Sequence, residues 1–282
     1  MITPEAPSTR EEEKVASGRD RIRRWVENLL FVSNQRSPPV NPYVVAKHRA
    51  IVEVSEVSGG PDGLLVPVER GFRVQIKADV PPVRQRSILA HEIAHTFFYD
   101  IGQSPPSKAI RWFDRAWSEE GICSEISRQI LVPVAMLDTS VQGLSGRRPS
   151  IEVLAELADE YEVSLDLIVR RLQDENLCDA IFVFLVGQNN GPLVVQTPMF
   201  GCGALRIKGV CKWLATREEF MKTVRRAGFE DLEDQVWHPK LGILNIVSRR
   251  INVFPSRVLA LATRQSASHP WLRSLKPSRS SR

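Results

Sequence analysis

Two histidines and a glutamate, His91, Glu92 and His95, stand close together in the sequence as H-E-x-x-H. On an α-helix the two histidines lie on one face, one turn apart. This spacing lets both imidazole rings bind a single metal ion, with Glu92 beside it to handle a proton. The motif therefore predicts a metal site built on one helix.

The residues around the motif are apolar, so the predicted helix is buried nearly all round. They are Ile88, Leu89, Ala90, Ile93, Ala94, Phe97 and Phe98. Buried histidines and a buried glutamate are costly unless they are paired, and a metal ion supplies a partner. The alternative is a surface helix with this spacing by chance, and the apolar neighbours argue against it.

A catalytic zinc site takes three protein ligands and leaves one position for water. The longer pattern H-E-x-x-H-x-x-G-x-x-H supplies a third histidine, but the two positions that decide it are Phe98 and Ile101. The third ligand must come from elsewhere, and a carboxylate on a downstream helix is the usual alternative. Glu119, Glu120 and Glu125 are the candidates.

Two segments, residues 84–95 and 119–133, resemble the ImmA/IrrE family of metallo-endopeptidases. The family pattern is R-x-x-x-A-H-E-x-x-H, followed by E-x-x-A/C-N/D-x-F-A-x-x-L-L-x-P. The first block is shared by all zincins, whereas the second, which ends here in I-L-V-P, specifies the family. The resemblance covers about residues 40–175.

Aligning the second block on the family pattern makes Glu120 the third metal ligand, with Glu119 as the alternative. The chain departs from the pattern at Ser124, where Asn or Asp is usual, and at Ile126-Ser127, where Phe-Ala is usual. Ser124 lies one helical turn from Glu120, so we expect its hydroxyl to hydrogen-bond that ligand.

The resemblance implies a cytosolic endopeptidase that cleaves a specific protein, such as a transcriptional repressor, and so releases stress-response or mobile-element genes. It implies zinc, with manganese as an alternative, held by His91, His95 and Glu120. Glu92 is the expected catalytic base, taking a proton from water and passing it to the leaving amine. Tyr99 is the candidate for a second donor to the oxyanion.

The elements that position this helix predict an α+β fold with a small antiparallel sheet beside the motif helix. The family resemblance implies that this part of the chain is a zincin-like metallopeptidase domain. A helix at 19–33 and a short one near Pro42 precede strands at 51–54, 64–68 and 72–78. The motif helix begins near Val83. A further helical stretch spans 110–132, with Trp112, Phe113 and Trp117 as apolar anchors, and Pro133 ends it.

Residues 151–173 have the pattern of a helical hairpin, similar to a helix-turn-helix. A DNA-binding transcription regulator with a non-catalytic metal site is therefore the alternative function. Arg170 and Arg171 favour contact with DNA. The first helix, however, carries acidic residues that DNA phosphates repel, and a structural hairpin is the favoured interpretation. These residues are Glu152, Glu156, Asp159 and Glu160.

The C-terminal region predicts a second α+β domain without a catalytic motif, which resembles a sensor domain only by analogy with family members. Strands are expected at 180–186, 192–196 and 243–247, and helices at 216–227 and 256–262. A capping box, Thr216-x-x-Glu219, opens the first of these helices.

The predicted organisation follows from these elements. A disordered tail at 1–18 precedes the metallopeptidase domain at 19–145 and the hairpin at 146–176. The C-terminal domain covers 177–265, and a basic tail covers 266–282.

The composition is that of an ordinary globular protein, with 43% hydrophobic and 25% charged residues and a net charge of +5. The four cysteines lack C-x-x-C spacing, which indicates reduced thiols. Neither a secretory signal nor an apolar run of membrane-spanning length is visible, so a cytoplasmic location is expected. The basic ends of the chain are interpreted as solvated tails.

Overall fold

A computed structural model describes residues 9–108, 118–144, 150–187, 194–197, 205, 213–214, 216–252, 256–264 and 272. The chain divides into two compact units. The first comprises Met1–Met136 and Glu160–Ser164, and the second comprises Leu137–Asp159 and Leu165–Arg282. Mixed helices and small sheets make the fold α+β, as the sequence predicts.

The first unit begins with helix α1 (Thr9–Val32) and the short helix α2 (Pro42–Lys47). Helix α1 starts at Thr9, earlier than the predicted Arg19, so part of the predicted disordered tail is helical. Its apolar residues at helical spacing, Ile22, Val26 and Leu29, are buried as expected for an amphipathic helix. Asn41 caps α2 by accepting a hydrogen bond from the Tyr43 backbone N–H.

Three strands follow: β1 (Ile51–Val57), β2 (Gly63–Val68) and β3 (Gly71–Lys77). Their order in the sheet is β1-β3-β2, with β2 antiparallel and β1 parallel to β3. The prediction of an antiparallel sheet was therefore wrong for β1. The alternate residues of β3 (Phe72, Val74 and Ile76) are fully buried, which favours the central position for this strand. A sequence pattern finds strands, but it does not name their neighbours.

Helix α3 (Pro82–His95) carries the H-E-x-x-H motif and continues into a 3₁₀ turn (Thr96–Phe98). A two-stranded ribbon of β4 (Tyr99–Asp100) and β5 (Ser107–Lys108) leads to helix α4 (Glu119–Leu131). Ser118 caps α4, because its hydroxyl accepts a hydrogen bond from the Gly121 backbone N–H. The predicted anchors Trp112, Phe113 and Trp117 lie outside the described residues.

Pro133 separates α4 from helix α5 (Val134–Leu144), as predicted. The two helices expected at 151–173 are present as α6 (Ile151–Tyr161) and α7 (Leu165–Asp174).

The second unit contains an antiparallel sheet of five strands in the order β7-β6-β10-β9-β8. These strands are β6 (Ile181–Gly187), β7 (Val194–Thr197), β8 (Leu232–His238), β9 (Gly242–Asn252) and β10 (Ser256–Arg264). Helix α8 (Glu218–Arg226) contributes Phe220 and Val224 to the core on one face of the sheet.

Two predictions for this unit were wrong. The expected helix at 256–262 is strand β10, which lies between β6 and β9 and is buried along Val258–Ala262. A strand buried on both faces is a continuous apolar run, which periodicity alone cannot distinguish from a buried helix. The expected capping box is also absent, since the Thr216 hydroxyl donates to the Trp213 carbonyl and α8 begins at Glu218.

Two of the four cysteines, Cys123 and Cys178, are buried thiols. Cys202 and Cys211 lie outside the described residues. Among the described residues, no helix is long and apolar enough to cross a membrane.

Gly71, the first residue of β3, lies very close to the backbone of Ala50. Its φ is +138°, and a Cβ built there would lie 2.1 Å from the carbonyl oxygen of Ala50. That oxygen, on the residue before β1, accepts a hydrogen bond from the Phe72 backbone N–H of β3 at 2.8 Å.

Replacing Gly71 by Ala should lower the free energy of unfolding by about 1–3 kcal/mol, measured by urea denaturation. Gly60→Ala is the matched control, because Gly60 also has a positive φ (+81°) but nothing lies within 4 Å of where its Cβ would be. Equal losses in the two variants would contradict a role for the close approach to Ala50.

Candidate metal centre

Helix α3 brings His91 and His95 together, as their spacing predicts. Their ring centroids lie 4.9 Å apart with the planes at 76°, and their Nε2 atoms are 3.2 Å apart. Both side chains are partly buried. Burial, and then the charge of His95, lower the pKa of His91. This shift favours the neutral imidazole, which is the form that binds a metal ion.

The third donor comes from the first turn of α4. Glu120 Oε2 lies 3.1 Å from His91 Nε2, and Glu120 Oε1 lies 3.5 Å from His95 Nε2. One donor atom from each of the three residues lies within 4.8 Å of the other two. His91, His95 and Glu120 therefore form a group that can hold a metal ion.

The spacing of these donors fits a tetrahedral zinc ion. Zinc binds imidazole nitrogen and carboxylate oxygen at about 2.0–2.2 Å, so two ligands at a tetrahedral angle lie roughly 3.3–3.6 Å apart. The donor-to-donor distances of 3.2, 3.1 and 3.5 Å lie close to this range. Two imidazoles and one carboxylate are also the ligand set of some catalytic zinc sites.

Glu119, the alternative ligand in the sequence alignment, faces the other nitrogen of His95. Its Oε1 lies 3.2 Å from His95 Nδ1, and its Oε2 accepts a 2.7 Å hydrogen bond from Lys108 Nζ. An Nδ1–H tautomer of His95 donates to this carboxylate and leaves Nε2 free to bind a metal ion. Glu119 thus orients His95, whereas Glu120 supplies one of the three donor atoms of the group.

The ion pair with Lys108 keeps Glu119 charged. Burial acts to raise the pKa of this carboxyl, but hydrogen bonds from Lys108 and His95 together bring it below its usual range. The same hydrogen bond raises the pKa of Lys108. Lys108 lies on β5, in a segment without a motif, and no pattern in the sequence connects it with His95.

Ser124 and Tyr99, the remaining candidates, do not join the donor group. No hydrogen bond in the described part of the chain connects the Ser124 hydroxyl to Glu120; its carbonyl accepts from the Ser127 hydroxyl at 3.0 Å. The Glu120 side chain extends towards the histidines. The short side chain of Ser124, one helical turn away, does not reach its carboxylate. Tyr99 packs edge-on against Phe72, with centroids 5.2 Å apart, so the structure adds no support for an oxyanion role.

Glu92 is buried beside the donor group, with only 7% of its surface exposed. Its carboxylate accepts a hydrogen bond from the backbone N–H of Leu65 on β2. Burial is the largest influence on this carboxyl and raises its pKa. A carboxylate with a raised pKa is a stronger base once it is ionised, which suits a proton acceptor.

Strand β2 approaches α3 closely at Gly63. A Cβ at this position would lie 2.4 Å from Ile88 Cγ2 and 2.6 Å from Glu92 Oε1. A side chain at this position would displace Ile88 or the Glu92 carboxylate, so glycine permits this close approach of the strand. The sequence Gly59-Gly60-Pro61-Asp62-Gly63 is typical of a turn and gives no sign of a contact with Glu92. That contact depends on the packing of β2 against α3.

Comparison with known proteins yields a likeness in fold. The chain matches no protein-family model and no curated protein. Among solved structures it is similar to a Mycobacterium tuberculosis transcriptional regulator, with a TM-score of 0.52 and 12% sequence identity. The match covers 88% of this chain and 80% of that one. At this identity the likeness concerns the fold alone.

The different positions of Glu120 and Glu119 predict different losses of zinc affinity. Glu120→Gln removes a donor of the group, whereas Glu119→Gln removes only the acceptor for His95 Nδ1. Zinc affinity, measured by competition with a chromogenic chelator, should fall about 10- to 100-fold in Glu119→Gln and further in Glu120→Gln.

Ser124→Ala is the control for these variants and should bind zinc like the parent chain, because its hydroxyl makes no described hydrogen bond to Glu120. A larger loss in Glu119→Gln than in Glu120→Gln would reverse the assignment of the two carboxylates.

Proposed function

We propose that this protein is a zinc-dependent endopeptidase of the ImmA/IrrE type that cleaves a specific protein partner, such as a transcriptional repressor. The observation that carries the proposal is the buried Glu92 carboxylate beside the donor group of His91, His95 and Glu120. A purely structural metal site closes its coordination with four protein ligands. Three described donors and a neighbouring proton acceptor suit a site that activates water.

The proposed mechanism divides the chemistry between the ion and the side chains. When bound, zinc supplies Lewis-acid chemistry that makes water more acidic and polarises a carbonyl group. His91, His95 and Glu120 would hold the ion, since one donor atom from each lies within 4.8 Å of the others. Glu92 accepts the proton of the attacking water and later donates it to the leaving amine, a role that its raised pKa favours. Glu119 fixes the tautomer of His95.

Strand β2 gives this site a means of binding an extended peptide. Among the described residues it is an edge strand, with β3 as its neighbour in the sheet. The Leu65 N–H on this strand donates to the Glu92 carboxylate. An extended substrate can add to such an edge through backbone hydrogen bonds. In our proposal a substrate carbonyl takes over the Leu65 N–H, which releases the Glu92 carboxylate to accept a proton.

Replacing Glu92 by Gln tests the proposed mechanism. Cleavage of the transcriptional repressor proposed as the substrate should slow by about 100- to 10,000-fold, because the variant lacks the proton acceptor. Zinc affinity should stay unchanged, since Glu92 is outside the donor group. The measurement is the rate of repressor cleavage on a denaturing gel with zinc or manganese, alongside chelator competition for zinc.

The matched control for this experiment is Glu53→Gln, which removes an exposed carboxylate on β1 that pairs with Arg73. It should cleave at the parental rate. Removal of the metal with a chelator should stop cleavage, and added zinc should restore it. Undiminished proteolysis by Glu92→Gln would refute the mechanism, and an intact repressor after incubation with the parent chain would refute the substrate.

The second candidate function is regulation of transcription through α6 and α7. The similarity to a solved transcriptional regulator favours it. The charges on this helical pair oppose it. Arg171 is completely buried and ion-paired with Glu175 at 2.8 Å, so only Arg170 of the two arginines is exposed. The exposed positions of α6 are acidic: Glu152, Glu156, Asp159 and Glu160. Phosphates are repelled by such a surface.

A gel-shift titration separates the two functions. We expect the protein to show no preference for the promoter of its neighbouring gene over unrelated DNA, because Arg170 alone cannot offset four exposed carboxylates. Arg170→Gln should leave the titration unchanged. A promoter-specific complex that Arg170→Gln weakens would support the regulator instead.

A further inference from the structure

A pocket of about 600 Å³ lies in the first unit, and His91, Glu92, His95 and Glu120 are not among the residues that line it. Helix α1 contributes Trp25, Val32 and neighbours, and the segments after α2 and α3 contribute the rest, including Arg49, Phe97 and Tyr99. Its volume falls within the roughly 300–1,000 Å³ of pockets that bind small molecules.

The guanidinium of Arg49 is fixed in the wall of this pocket. Its Nε donates to the Thr96 hydroxyl oxygen and its Nη2 donates to the Thr96 carbonyl, both at 2.9 Å. The Thr96 hydroxyl in turn donates to the Ile93 carbonyl. The Arg49 guanidinium carbon also lies 4.1 Å from the centre of the Phe97 ring. The side chain is thereby held rigidly before any ligand arrives.

The charge of Arg49 lacks a carboxylate partner among the residues that the structure describes. Only two of its five N–H groups have a described acceptor, and both acceptors are neutral atoms of Thr96. Asp100, the one acid in the lining, is exposed and directs Oδ1 to the Gly102 backbone N–H. Burial lowers the pKa of Arg49 to about 10, which indicates that its charge is poorly solvated.

Aromatic rings form much of the remaining wall. Trp25 stacks with Phe97, with centroids 5.8 Å apart and planes at 20°. Tyr99 is held by its edge-on contact with Phe72. Half-buried rings beside a fixed guanidinium combine apolar flat surfaces with bidentate hydrogen-bond donors, which match carboxylate and phosphate groups in geometry.

We propose that this pocket binds a small organic anion with a flat apolar body, its carboxylate or phosphate on Arg49 and its body against Trp25, Phe97 and Tyr99. The anion supplies the missing charge partner, and the rings supply the contact area. The site is independent of the proposed proteolysis, because binding there requires neither the metal donors nor Glu92.

Calorimetric titration of the full chain with benzoate and phenyl phosphate tests this proposal and separates the two anionic groups. Benzamide has the same body without charge, and acetate has the charge without the body. We expect at least one of the two aromatic anions to bind at least about tenfold more tightly than both comparison compounds. Failure of both anions to bind at millimolar concentration, or equal binding of benzamide or acetate, would overturn the proposal.

Two arginine variants assign the binding to this pocket. Arg49→Gln should weaken it about tenfold or more, whereas Arg36→Gln should leave it unchanged. Arg36 is a matched control because it also lies over an aromatic ring, 5.0 Å from the centre of Phe31, but it is outside the pocket. Equal affinities of the parent and Arg49→Gln would exclude the site.

A second pair of variants decides the question if Arg49→Gln does not fold. Val32 lines the pocket and is 50% exposed, whereas the preceding Phe31 is 65% exposed and does not line it. Val32→Glu adds a repelling carboxylate without touching the contacts of Arg49 with Thr96, so it should weaken anion binding. Phe31→Glu should not. The same affinity in both variants would contradict the proposal.

Discussion

The candidate metal centre depends on the packing of α3 against α4. The H-E-x-x-H helix alone provides two imidazoles, and its buried residues Leu89 and Ile93 fix it in the core. Helix α4 buries Ile122, Ile126 and Ile130, and its first turn then lies where Glu120 reaches both histidines. Apolar contacts thus hold together three polar side chains from two separate helices.

The carboxylates around the candidate metal centre differ in solvent exposure. Glu120 is largely exposed, and Glu119 links the partly buried His95 to Lys108 on β5. Glu92 is on the buried side, held by the edge of β2. Ion pairing keeps Glu119 charged, whereas burial favours the protonated form of Glu92. The surroundings of Glu119 and Glu92 therefore shift the pKa values of these two carboxyl groups in opposite directions.

The C-terminal end of α3 contributes both to the candidate metal centre and to the wall of the proposed anion pocket. Thr96 directly follows His95, and its carbonyl and hydroxyl bind the guanidinium of Arg49. A cation is favourable at this end of a helix, because the last carbonyls lack partners within the helix and carry partial negative charge. Arg49, which lines the pocket, therefore also stabilises the helix end next to His95, a candidate metal ligand.

The sequence by itself determined the helix that carries H-E-x-x-H, the presence of a downstream carboxylate and the α+β class, because these depend on local spacing and periodicity. Only the tertiary structure decided that β1 lies parallel to β3 and that residues 256–264 form a central strand. It also decided that Glu119 orients His95, whereas Glu120 supplies a donor atom to the group. Lys108, Gly63 and Arg49 lack a motif, and their roles arise from contacts with residues distant in the chain. Periodicity specifies which face of an element is buried, whereas side-chain packing between elements chooses its neighbours.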